Sequence, residues 1–85
     1  MILNYDDFIN EISESNIDKL TEVKNELTNL YTDNSLFKGL DIDKRISQLF
    51  TMHKTWLNIV LDSSSYTPYN IASILYHYDY NLQKR

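Results

Sequence analysis

Apolar residues recur along this chain at helical intervals. Behind Asn4, a residue suited to an N-cap, Tyr5, Phe8, Ile9 and Ile12 follow the i, i+3, i+4, i+7 pattern and predict a short helix over residues 5–13. Ser13 to Asn16 is poor helix material, and Ser15 with Asp18 three positions on resembles a capping box. A second helix is therefore expected to run from there to Tyr31, with Leu20, Val23, Leu27 and Leu30 as its seam. One long helix is the competing reading: Tyr5, Ile9, Ile12, Asn16, Leu20, Val23, Leu27 and Leu30 also share a face, with Asn16 as a polar interruption.

Thr32 to Ser35 is turn chemistry, because short polar side chains satisfy their own backbone outside helices. Ser35 to Gly39 reads as a single helical turn stopped by Gly39. A third helix opens at Asp41 and continues to the break at Asp62. On its wheel Ile42, Ile46, Leu49, Phe50, His53, Trp56, Leu57, Val60 and Leu61 form one wide apolar arc, broad enough to touch two neighbours. Thr67-Pro68 is an N-cap followed by proline at the first helical position, and a fourth helix is expected over 68–82 with Ile71, Leu75, Tyr78 and Leu82 inward and Ile74 beside them. The residues expected to build the core are Leu20, Val23, Leu27, Leu30, Ile46, Leu49, Phe50, Trp56, Leu57, Val60, Ile71, Leu75 and Tyr78.

These elements predict one all-α domain over residues 1–85, a small antiparallel helical bundle of three main helices plus a short N-terminal helix. The length supports that, since 85 residues bury only roughly 60–65% of the unfolded surface and leave little room for a deep catalytic cleft. One Gly and one Pro are too few to punctuate a β-fold. The absence of cysteine removes disulfides and thiolate metal sites and suits a reducing compartment, so a cytoplasmic location is expected. The first twenty residues are acidic rather than basic and apolar, unlike a signal peptide, and no run approaches the ~20 residues of a membrane span. Nine Asn, nine Ile and seven Tyr against one Ala suggest an AT-rich source, which fits a phage or mobile-element protein.

Candidate chemistry is sparse. His53 sits within the apolar arc and reads as a partly buried histidine with one hydrogen-bond partner. His77 and Asp79 point to different sides of a helix, and the two histidines have no metal-ligand spacing. The Ser63 to Ser65 run has no base beside it. The expectation is a protein without catalytic residues, metal or cofactor.

Charge divides the chain. Residues 1–35 hold eight acidic and two basic side chains, and residues 36–85 hold four acidic and six basic. Asp7, Glu11, Glu14, Asp18, Glu22 and Glu26 recur three or four apart and would line one acidic face, suited to a basic partner or simply to water. Lys44, Arg45 and Lys54 point in different directions, and a net charge of −4 disfavours direct nucleic-acid binding. Five of the seven tyrosines fall within residues 66–80. Tyr69, Tyr76 and Tyr80 gather with Ser73 opposite the expected core face, so an exposed partner-binding surface is predicted there; burial within the bundle is the structural alternative.

Together these features point to a non-enzymatic regulator or inhibitor that binds another protein through the tyrosine-rich last helix and the acidic face. An immunity-protein-like or antitoxin-like role, or a homodimeric structural component paired through the last helix, is the alternative.

Overall fold

A computed structural model of the chain describes the backbone of residues 14–84 and the side chains of residues 16–83. The described residues form four α-helices with one 3₁₀ turn: α1 (Glu14–Thr32), the turn Ser35–Phe37, α2 (Ile42–Met52), α3 (Lys54–Asp62) and α4 (Pro68–Lys84). They make a small helical bundle. The short helix expected over 5–13 lies outside the described residues, so its continuity with α1 does too.

Local chemistry sets most boundaries where the side chains require them. Asp41 caps α2 by accepting the Lys44 amide at 3.2 Å. Thr67 Oγ1 accepts the Asn70 amide at 3.1 Å, and Asn70 Oδ1 accepts the Thr67 amide at 3.3 Å, a reciprocal capping box in front of Pro68. Gly39 has φ +87°, the left-handed conformation that the stop before α2 needs. Ser15 and Asn16, in contrast, lie inside α1. The expected capping box at Ser15 and Asp18 is therefore not a helix start; Asn16 Nδ2 instead donates to Asp62 at the far end of α3.

The single helix expected from Asp41 to Asp62 is broken at His53. With φ −111° and ψ 27°, this residue ends α2 by donating its N–H to the Leu49 carbonyl and begins α3 by accepting the Leu57 N–H. No proline or glycine stands there. Just upstream, the hydroxyls of Ser47 and Thr51 bond back to the carbonyls of Asp43 and Ser47, at 3.0 and 2.9 Å, an arrangement that bends helices.

The core comprises Leu20, Val23, Leu27 and Tyr31 of α1, Phe37 of the turn, Ile46, Leu49 and Phe50 of α2, Leu57, Val60 and Leu61 of α3, and Ile71, Ala72 and Leu75 of α4. The most extensive helix–helix contact is that of α1 with α4. Leu30 and Trp56, expected inside, are half-buried against this core, and Tyr78 is 44% exposed. Lys19 Nζ donates to the carbonyls of Val60, Leu61 and Ser63 at 3.4, 3.3 and 2.8 Å. One cation thereby caps the carbonyl end of α3, sharing the Val60 carbonyl with the Ser63 N–H.

Candidate functional site

The inward stripe of α4 is Ile71, Ala72, Leu75 and Asp79, not the expected Ile71, Leu75, Tyr78 and Leu82. A carboxylate occupies the last core position. Asp79 is fully buried; Tyr31 Oη donates to its Oδ2 at 2.6 Å, Arg45 Nε donates to the same oxygen at 3.1 Å, and the remaining oxygen pairs with the Arg45 terminal nitrogen. Burial pushes the Asp79 carboxyl up, but the bonds from Arg45 and Tyr31 and the guanidinium charge outweigh it and hold the group below the ordinary carboxylate range. The Tyr31 phenol is pushed far upward, first by burial and then by its bond to Asp79. The carboxylate takes its bonds from Tyr31 and Arg45, and Arg45 Nη1 donates a further bond to Gln48 Oε1 at 3.2 Å. The cluster ties α1, α2 and α4 together.

This inward carboxylate rotates α4 relative to the expected orientation and changes which tyrosines face outward. Phe37 of the 3₁₀ turn packs edge-on against Tyr31 at 4.7 Å and Tyr76 at 5.8 Å, with Tyr80 at 6.5 Å. Tyr76 Oη also accepts a hydrogen bond from Asn34 Nδ2. Tyr76 and Tyr80 are thus half-buried against the core, as is Ser73 against its surroundings, which corrects the expectation that these side chains project freely. Tyr69 does project, at 56% exposure. On the opposite flank of α4, Ile74, Tyr78 and Leu82 form an exposed row at four-residue spacing, 45%, 44% and 39% open. The sequence signal for both changes was Asp79, the one charged residue of α4 before Lys84, since it has no surface role once Arg45 reaches it.

Of the acidic face, Asp18 and Glu22 are exposed on α1 and Glu26 is half-buried; Asp7, Glu11 and the Glu14 side chain lie outside the described residues. Two sets of candidate residues that the sequence kept apart meet here. Glu22, Asn25 and Glu26 of α1 face Thr67, Pro68 and Tyr69 across an open groove of about 330 Å³. Two carboxylates beside an aromatic ring and an amide can receive a cationic side chain, the ring through its π-face.

His53, at the break between α2 and α3, stacks edge-on to Tyr78 with centroids 4.8 Å apart. Its Nε2 is buried without a hydrogen-bond partner, where one was expected, and burial lowers the pKa of the ring. Among the described residues no three His, Cys, Asp or Glu side chains come together as metal ligands, and no helix is long and apolar enough to cross a membrane. Comparison with protein-family models, with curated proteins and with solved structures gave no match, so the chemistry of the groove and of the α4 flanks is what bears on function.

Proposed function

We propose that this chain is a non-enzymatic protein-binding module, a small regulator or inhibitor that covers a basic site on a larger protein. The observation that carries the reading is the groove in which Glu22 and Glu26 face Tyr69. A lysine or arginine entering it gains a carboxylate partner and an aromatic face together, and the acidic residues of α1 steer such a partner before contact. Tyr69 contributes contact area with little rotamer entropy to lose. The site of action is a reducing compartment such as the cytoplasm, a reading supported by the absence of cysteine. In this reading α1 and α4 run in the same direction and the arm made of α2 and α3 runs against them. Lys19 near the start of α1 reaching the end of α3 supports the antiparallel relation of those two, and Tyr31 near the end of α1 reaching Asp79 late in α4 supports the parallel relation of α1 and α4.

A photo-crosslinking amino acid at position 69, expressed in the source cell, tests the proposal. Adducts to a defined protein are expected, their yield falling when Glu22→Lys and Glu26→Lys are added. The same probe in place of the exposed Asp43 on α2 should give none. Equal adducts from both positions, or adducts indifferent to charge reversal, would overturn the reading.

A further inference from the structure

We propose that His53 is an acid-operated latch: when its ring takes up a second proton it leaves its place beside Tyr78, and the ends of α2 and α3 that it holds together part. The latch goes beyond the groove reading and shares no side chain with it.

One residue serves three helices here. The His53 N–H closes the last turn of α2 on the Leu49 carbonyl at 3.0 Å, and the His53 carbonyl opens α3 by accepting the Leu57 N–H at 2.9 Å. The side chain reaches from this break to α4, where its ring meets Tyr78 edge-on at 4.8 Å. No proline or glycine sets the chain direction at this point, so the packing of the imidazole is left to hold the two segments at their angle.

The chemistry of the ring makes that packing depend on its charge. Neutral imidazole has one bare nitrogen, whereas imidazolium has none and must donate from both. Nε2 is buried with no hydrogen-bond partner. The position tolerates a bare nitrogen, but a charged N–H placed there has neither an acceptor nor water, and an unpaired buried charge is strongly disfavoured. The way out is short, because an open hollow of about 340 Å³ lies against residues 51–56, His53 among them. Burial lowers the pKa of the ring in agreement, so the closed form is the neutral one.

Among the described residues no counter-charge acts on the ring, since burial alone sets the direction of its shift. From α4 the titratable neighbour is Tyr78, while His77 beside it turns to Tyr76 with centroids 5.8 Å apart. From α3 Lys54 lines the same hollow and adds a like charge. The carboxylates of the packed helices are placed elsewhere: Glu22 and Glu26 of α1 at the groove, Asp43 in the first turn of α2, Asp62 at the far end of α3 on Asn16, and Asp79 of α4 on Arg45 and Tyr31. Asp79 is held below the ordinary carboxylate range, so its bonds persist while an imidazole titrates. Release at His53 is therefore local, with α1, α4 and the start of α2 still tied together.

Hydrogen exchange read by NMR on the full chain tests the latch, with each amide corrected for its intrinsic exchange rate. A released imidazole titrates near its ordinary ~6.5, so the opening constant at about pH 5 rises by up to about 30-fold over its value at about pH 8. The amides of residues 53 and 57 should accordingly lose protection by about 10- to 30-fold over that range, while those of Leu27 in α1 and Leu75 in α4 keep theirs. In the same wild-type samples the His53 ring-carbon shifts should titrate with the same midpoint as the loss at residue 57. His53→Phe keeps a ring to set against Tyr78 and has no proton to gain, so it should abolish the change; His77→Gln, which leaves His53 in place, should preserve it. A loss under about 3-fold at residue 57, an equal loss at Leu27, a midpoint different from that of the His53 ring, or a response that survives His53→Phe would overturn the proposal.

Discussion

Replacing Asp79 by Asn tests the account of α4 most severely, because it preserves the shape of the side chain and removes its charge. In the wild type a fully buried carboxylate receives the Tyr31 hydroxyl at 2.6 Å and two nitrogens of Arg45. Asparagine can accept at one atom only, and its amide must face donors, so the guanidinium loses its counter-charge in a site largely closed to water. Removing one partner of a buried ion pair costs ~3–5 kcal/mol. Because Arg45 keeps partial access to solvent, about 3 kcal/mol is expected, against a total stability of roughly 4–13 kcal/mol for a chain of this length. Urea titration followed by circular dichroism measures it. The Asp79 pKa is depressed in the fold, so its contribution is full above the unfolded carboxylate value near ~3.9 and fades as pH falls through the lower folded value. The gap between wild type and Asp79→Asn should accordingly close on acidification below about pH 4. A loss under ~1 kcal/mol at pH 7, or a gap that does not shrink in acid, would refute the claim that a charged Asp79 holds the three helices together.

Other outcomes follow from single contacts. Tyr31→Phe keeps the ring stack on Phe37 and loses only the bond to the carboxylate, so a loss of ~1.5–3 kcal/mol is expected, read by the same titration. Burial lowers the His53 pKa, so the fold is favoured above the unfolded value near ~6.5 and loses that contribution as pH falls toward the folded value. His53→Leu, which also removes the unpartnered Nε2, should therefore gain more stability at pH 5 than at pH 8 in thermal melts. Gly39→Ala meets open space but must adopt φ +87°, and a loss of ~1 kcal/mol is expected in chemical denaturation.

Boundaries carried by short-range chemistry were legible in the sequence. Asp41, Gly39 and Thr67-Pro68 act on residues within four positions, and the seam Leu20, Val23 and Leu27 needs only its own spacing to reveal a buried face. What was not legible depended on distant partners. Asp79 looks like a surface charge until Arg45, 34 positions earlier, is placed beside it. Tyr76 and Tyr80 look free until Phe37, from a short turn with weak periodicity, packs against them. The groove required Glu22 and Glu26 to meet Tyr69 across two helices, and no local pattern records which sides of α1 and α4 adjoin. The break at His53 has none of the usual helix-breaking residues, and hydroxyls turned back onto their own helix do not mark it, since Thr21 and Thr28 do the same in the unbroken α1.

Trp56 is the one indole in the chain, half-buried three residues beyond that break. Its emission wavelength is thus an intrinsic optical gauge of the joint. Any rearrangement that pries α2 from α3 hydrates the indole and red-shifts its light, so opening of this elbow can be timed by stopped-flow fluorescence in the unlabelled protein.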